Sequence, residues 1–220
     1  VEVVVLDIDD TLYLERDYAR SGFRAVEAAA AIPGFADTAW QLFLDGVRGD
    51  TFDRALAALD QPPEPGRVAE LVAIYREHEP AIALTPDAAS FLAAAQAAGR
   101  PLAAVTDGPL ASQRAKARAL DLAAVCGTVV FTAELGPGLG KPHPRAFEAV
   151  QELTARPHAA HLYLADNPVK DFGGPRSLGW ATVRVRRAGS LHEAVDTPDE
   201  VDLEVADLSG LAALLGLTST

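Results

Sequence analysis

Five short apolar runs decide what this chain can fold into. They are Val3–Leu6, Leu102–Val105, Thr128–Phe131, His161–Ala165 and Ala181–Val185. Most are continuously apolar, with no alternation. Strands read this way when helices cover both faces of a parallel sheet, because both sides of each strand are then dry. Helical patterns separate the later runs. Thr85-Pro86-Asp87 reads as an N-cap followed by proline at the first helical position. Phe91, Leu92 and Ala95 then share one helical face, and Gly99 supplies a C-terminal cap. Further helices are predicted over Leu110–Leu120, Pro144–Leu153 and Asp207–Leu215. Strand–helix alternation from Leu102 onward predicts a doubly wound α/β domain with a parallel sheet.

The first strand breaks this rhythm. No second strand follows promptly after Asp7 to Leu12. From Arg16 to about His78 the pattern is almost all helical, punctuated by Pro33-Gly34, Gly49-Asp50 and Pro62-Pro63-Glu64-Pro65-Gly66. The expected organisation is an α/β core made of residues 1–13 and 81–220, with a small all-helical insertion over residues 14–80. Ligands of open α/β sheets sit beyond the carboxyl ends of the strands. An insertion leaving from that edge is therefore expected to form a lid.

The formal net charge is −12, which opposes non-specific binding to nucleic acid or to an anionic membrane. A bound divalent cation and a few local basic groups can still admit an anionic substrate to one cleft. The single cysteine, Cys126, cannot form an intrachain disulfide, so a reducing cytoplasm is the expected compartment. Its apolar neighbours favour a small buried hydrophobe over a catalytic thiol. No apolar run is long enough to span a bilayer, and Val1 to Asp7 lacks the features of a signal peptide. A start at Val1 instead of Met leads to the expectation that a short N-terminal piece has been removed.

Reactive residues follow four of the strands. Asp7-Ile8-Asp9-Asp10-Thr11 follows the first, and Thr106-Asp107-Gly108 the second. Lys141, in Gly140-Lys141-Pro142-His143-Pro144, opens a helix after the third. Asp166-Asn167-Pro168-Val169-Lys170-Asp171 follows the fourth. Phosphate monoester hydrolysis needs an in-line nucleophile, charge neutralisation on the transferring oxygens and a proton for the leaving group. A carboxylate can attack phosphorus to give an aspartyl-phosphate. Nucleophile and substrate are both anions, so a hard cation must bridge them. Mg²⁺ takes one or two carboxylates for this, with water and phosphate oxygens completing its shell. Asp7 and Asp166, at the ends of strands expected to be adjacent, meet that need. Lys141 adds a fixed positive charge. Thr106 offers a hydroxyl, and the backbone N–H groups of Asp107 and Gly108 can bind phosphate oxygens. Asp9, two residues past Asp7, is placed to act as general acid and then base. Any one of these segments alone would read as a turn or a surface loop. Their joint placement, in this order, points to a site.

Asp7-Ile8-Asp9-Asp10-Thr11-Leu12 resembles the first motif of haloacid-dehalogenase-like hydrolases, in which two aspartates flank one residue and a threonine follows. Thr106 is similar to the second motif, Lys141 to the third, and Asp166 with Asp171 to the two acids of the fourth. The resemblance covers roughly Val1 to Tyr13 and Ala81 to Leu215. It implies a Rossmann-like core with an α-helical cap inserted after the first motif, and a Mg²⁺-dependent phosphatase acting on a small phosphorylated metabolite. It further implies Asp7 as nucleophile and metal ligand, with Asp9 as acid/base giving its backbone carbonyl to the metal. Asp166 would complete the protein ligands, and Asp171 would orient a metal-bound water or Lys141. Thr106 and Lys141 would hold the phosphoryl oxygens, with Thr11 on the substrate side. Three features depart from the pattern. Asp10 and Ala165 stand where glycine is frequent, and Gly173-Gly174-Pro175 is expected to interrupt the helix after Asp171.

Two other readings compete. A carbon–halogen hydrolase on the same fold would use Asp7 but needs no metal and no proton donor. A non-catalytic relative would only bind phosphorylated ligands. The phospho-accepting receiver domain fits poorly, because the third strand ends near Thr132 without an aspartate. Substrate choice is harder to read. Arg16, Arg20 and Arg24 form a stripe at four-residue spacing, which can bind a distal anion or form a solvated face beside Glu15 and Glu27. The solvated face is preferred, with Arg16 the exception because it lies closest to the catalytic turn. Tyr13 and Tyr18 can shape a pocket entrance or serve in packing. His143 can touch the site or begin a helix. The oligomeric state is not legible.

Overall fold

Val3, Val4, Val5 and Leu6 are fully buried, as a strand must be when helices cover both faces of its sheet. The computed structural model describes residues 1–217. Its strands are β1 (Val3–Leu6), β2 (Leu102–Thr106), β3 (Thr128–Phe131), β4 (His161–Ala165), β5 (Ala181–Val185) and β6 (Leu203–Val205). They form one sheet in the order β3-β2-β1-β4-β5-β6, with every neighbouring pair parallel. This is a doubly wound, Rossmann-like α/β sheet. The chain winds outward from β1 through β2 to β3, then restarts on the other side of β1 at β4. That reversal places a crevice beyond the carboxyl ends of β1 and β4, where open α/β sheets bind ligands.

The chain divides into two compact units, one made of Val1–Glu15 and the chain from Ala83 onward, the other of Arg16–Ile82. The helices run in order as α1 (Glu15–Ala30), α2 (Phe35–Leu44), α3 (Thr51–Ala58), α4 (Pro65–Glu77), α5 (Pro86–Ala97), α6 (Leu110–Ala119), α7 (Leu122–Val125), α8 (Arg145–Thr154), α9 (Gly173–Ser177) and α10 (Leu211–Leu214). The second unit is all-helical and has its own core of Phe23, Val26, Ile32, Phe35, Leu56 and Leu71. Phe23 meets the rings of Phe43, Phe52 and Tyr75 at 5.5–6.3 Å. Tyr18 packs inside this unit, its hydroxyl donating to the Tyr75 carbonyl at 3.2 Å. Arg20 lies over the Trp40 ring, 5.3 Å from its centre. In the α/β unit, Phe147 stands edge-on to Tyr163 and Trp180, and His161 stacks on Trp180. Among the described residues no helix is long and apolar enough to cross a membrane. Cys126 is buried and free, and burial pushes its thiol up to about 12, so it carries no thiolate near neutral pH.

Three expectations need correction. The edge strand β6 carries Glu204 at its centre and is largely exposed, so no apolar run announced it. The last helix is confined to Leu211–Leu214, because Gly210 takes a left-handed φ of 76° just before it. Pro175 does not interrupt a helix. The helix starts at Gly173, so Pro175 falls in the first turn, where its missing N–H would be unbonded anyway.

Gly174 is there for space. A Cβ at that position would lie 2.6 Å from the Phe147 ring and 2.8 Å from the Pro142 carbonyl oxygen. Gly174→Ala is expected to cost about 1–3 kcal/mol through overpacking. The check is thermal unfolding, with a midpoint lowered by roughly 2–12 °C at about 2–4 °C per kcal/mol for a chain of this size.

Candidate active site

The loop after β1 is built by its own buried residues. Asp7 N–H donates to the Leu164 carbonyl at 2.8 Å, tying the end of β1 to β4. Leu12 N–H returns to the Ile8 carbonyl at 3.0 Å, and both side chains are buried. Asp10 takes a left-handed φ of 53°, which explains why glycine suits this position and why aspartate is tolerated. The Asp10 carboxylate also accepts the N–H groups of Glu15 and Leu191, each at 2.8 Å, so it braces the loop on two sides. The Thr11 carbonyl accepts from Arg187, which forks onto Asp87.

Three carboxylates converge from the ends of β1 and β4. Ligand oxygens of Asp7, Asp166 and Asp171 all lie within 4.8 Å of one another, and all three residues are buried. Lys141 reaches into this group from the segment before α8. Its Nζ is 2.6 Å from Asp7 Oδ1, 2.6 Å from Asp171 Oδ1 and 3.1 Å from the Tyr163 hydroxyl. Asp171 Oδ2 accepts the Asn167 N–H at 2.9 Å, which closes the loop after β4. Arg184 donates to the Asp166 carbonyl oxygen at 3.1 Å and holds that residue from the β5 side.

One lysine does not balance three buried acids. Burial works against the charge on Lys141, but Asp171 and Asp7 hold its pKa well above the ordinary value. Burial lifts the Asp7 carboxyl to about 6; Lys141 opposes the rise and Asp171 adds to it. Asp166 is pushed up to about 10 by burial and by the charges of Asp7, Asp171 and Asp10. Its Oδ2 is buried with no hydrogen-bond partner in the protein, as is Thr11 Oγ1. An unpartnered buried oxygen on one of three converging carboxylates, with a single lysine among them, fits a hard divalent cation.

Asp9 stands slightly apart. Its Oδ1 accepts the Tyr13 hydroxyl, and Lys116 Nζ lies 2.8 and 2.9 Å from its two oxygens. Gln113 donates to Oδ2 at 3.2 Å, while its own Oε1 accepts the Thr106 hydroxyl at 2.8 Å. Burial tends to raise the Asp9 carboxyl, but Lys116 and these donors outweigh it and hold the pKa below its ordinary value. Glu15, at the end of the same loop, is pushed up to about 7 by burial and by the Asp9 charge.

The structure therefore brings Asp7, Lys141, Asp166 and Asp171 into one cluster and links Thr106 to Asp9. The Asp107 carboxylate accepts the Thr132 hydroxyl and lies 3.7 Å from Lys170. Gly108 takes a φ of 147°, and a Cβ there would lie 2.8 Å from the Gln113 amide nitrogen. His143 Nδ1 accepts the Arg145 N–H at 3.1 Å, a role at the start of α8. Arg16 belongs to the helical unit and is half-buried. Sequence reasoning missed Gln113, Lys116 and Tyr163. Gln113 and Lys116 lie three apart, so they share a helical face, and that spacing was the available signal. Tyr163 offered none beyond its place in an apolar strand.

The chain belongs to the haloacid dehalogenase-like hydrolase family, whose pattern it matches over residues 1–179. Two curated relatives are similar over most of their length. One is a glyceraldehyde 3-phosphate phosphatase of Methanopyrus kandleri, 30% identical over 200 residues, covering 85% of this chain and 84% of the relative. The other is a phosphoserine phosphatase of Thermus thermophilus, 33% identical over 196 residues, covering 89% and 71%. Among solved structures, the L-2-haloacid dehalogenase of Xanthobacter autotrophicus shares the fold, with a TM-score of 0.68, 21% identity and full coverage of both chains.

Proposed function

We propose that this chain is a Mg²⁺-dependent phosphatase that hydrolyses a small-molecule phosphate monoester through an aspartyl-phosphate on Asp7. The observation that carries this reading is the buried cluster of Asp7, Asp166 and Asp171 around Lys141, with one Asp166 oxygen unpartnered. A carbon–halogen hydrolase would also use Asp7 but needs no metal, so the unpartnered Asp166 oxygen favours the phosphatase reading. Two phosphatases among the relatives support the same choice.

In the proposed reaction an Asp7 oxygen attacks phosphorus and the ester P–O bond breaks. Asp9 takes up a proton, against the pull of Lys116, as the negative charge of the substrate arrives, and gives it to the departing oxygen. Asp9 then takes a proton from water, which attacks the aspartyl-phosphate and releases inorganic phosphate and free Asp7. Mg²⁺, held by Asp7, Asp166 and the Asp9 carbonyl, would supply the positive charge that lets the two anions meet. Lys141 and Thr106 hold phosphoryl oxygens, aided by the N–H groups of Asp107 and Gly108. Thr11 lies on the substrate side. Asp171 holds Lys141. The helical unit is proposed as the substrate-selecting cap, with Arg16 as the candidate contact for a distal anion.

Both relatives are named for phosphate esters of three-carbon compounds, so small three-carbon monophosphates head the proposed substrate class. The test is phosphate release from a panel of phosphorylated metabolites that includes glyceraldehyde 3-phosphate and phosphoserine, with Mg²⁺ and with EDTA. Turnover of at least one ester is expected with Mg²⁺, lost in EDTA and regained with excess Mg²⁺. Hydrolysis that persists in EDTA, or dehalogenation of a 2-haloacid in its place, would overturn the reading.

A further inference from the structure

We infer that Lys116, with Gln113, positions the Asp9 carboxylate for proton transfer and ties it to Thr106. This inference rests on the phosphatase reading and extends it to two residues on α6. A carboxylate offers about four acceptor sites. On Asp9, Lys116 spans both oxygens, Tyr13 takes a second site on Oδ1 and Gln113 a second site on Oδ2. A donor on each oxygen fixes the plane of the group as well as its distance from the loop. The Lys116 side chain is 3% exposed and that of Asp9 18%, so Asp9 can face a substrate while Lys116 acts through it.

Gln113 makes the link to the phosphoryl side. Its amide oxygen accepts from Thr106 and its amide nitrogen donates to Asp9. Gly108 is part of the same device, because a Cβ there would strike that nitrogen. The Gln113 contact to Asp9, at 3.2 Å, is the longest of those on the carboxylate for which a normal distance is seen. It is the contact that a leaving-group oxygen or a water displaces when Asp9 acts. A phosphoryl oxygen that draws the Thr106 hydroxyl away frees Gln113 at the same moment. The purely architectural alternative is an ion pair that pins α6 to the loop after β1, with no bearing on Asp9 chemistry.

A double-mutant cycle separates the two. It uses the whole chain with Mg²⁺ and the best ester of the panel. Lys116→Met is expected to lower kcat by about 10²-fold, the scale of a misplaced catalytic group, with KM changed less than about threefold. In an Asp9→Asn background the same substitution is expected to cost less than about threefold, because a residue that acts through Asp9 has nothing left to position. Lys116→Arg is expected to recover most of the rate. Equal losses in both backgrounds, or a loss confined to KM, would overturn the inference. Should Lys116→Met fail to fold, the cycle is run with Gln113→Leu, for which the same coupling to Asp9 is expected and additivity is equally fatal. Loss of phosphate release in Asp7→Asn with an additive cycle removes this inference alone. Unchanged release in Asp7→Asn removes the phosphatase reading as well.

Discussion

Asp7→Asn will lower kcat by about four to six orders of magnitude and leave the fold standing. Loss of a covalent nucleophile in a concerted site removes nearly all the catalysis that site provides. Asparagine keeps the shape of aspartate and an oxygen that Lys141 Nζ, now 2.6 Å from Asp7 Oδ1, can still reach. What it loses is the charge and the attacking lone pair. The stability side is as telling as the rate. Burial and the neighbouring Asp171 already press the Asp7 carboxyl toward its neutral form, so the charge is held there at a cost. Lys141 keeps Asp171 as a partner at 2.6 Å after the substitution. The thermal midpoint in EDTA at pH 7.5 is therefore expected to be unchanged or higher. Phosphate release and thermal unfolding on the same preparation check both halves. A residual rate within about tenfold of wild type would show that another group attacks phosphorus.

Part of this site was legible because the fold writes it at strand ends. Asp7 and Asp166 each follow a continuous apolar run, and the reversal of strand order puts β1 beside β4, so two distant carboxylates had to meet. Lys141 was legible from its place before a helix, though its three buried partners were not. Lys116 escaped notice because a lysine on a helix of arginines and alanines reads as a solvated residue. Only the packing of α6 against the loop after β1 turns it inward, and no local pattern records which helix face meets that loop. Tyr163 escaped for the opposite reason. Its hydroxyl is the polar end of a residue that otherwise looks like core. Pro175 misled because proline signals a break without saying whether the helix ends there or begins. The phase of α9 answers that, and it depends on where Gly174 passes Phe147.

Without metal, Asp7 and Asp166 will cost the protein stability as pH rises, and Mg²⁺ will offset that contribution most where it is greatest. Asp7 is raised from 3.8 to about 6 and Asp166 from 3.8 to about 10. Each folded value lies above the unfolded one, so the folded state binds more protons across that window. Stability is then fullest below about pH 4 for these two groups and declines as pH climbs through their folded values. A divalent cation replaces those protons. At about a hundredfold excess over its dissociation constant, a ligand of the folded state adds about 2.7 kcal/mol. For a chain of this size that is a rise of roughly 5–10 °C in the thermal midpoint. Protons compete for the same carboxylates, so the Mg²⁺ shift is expected to be small at pH 5.5 and large at pH 8.5. Asp166→Asn removes both the most strongly perturbed acid and a proposed ligand. It is expected to flatten the pH dependence in EDTA and to abolish most of the Mg²⁺ shift. Differential scanning fluorimetry across that pH range, with Mg²⁺ or EDTA, reads all of this without any substrate. A Mg²⁺ shift that is flat with pH and survives in Asp166→Asn would place the cation elsewhere, and the excess of buried negative charge would then need a different counterion.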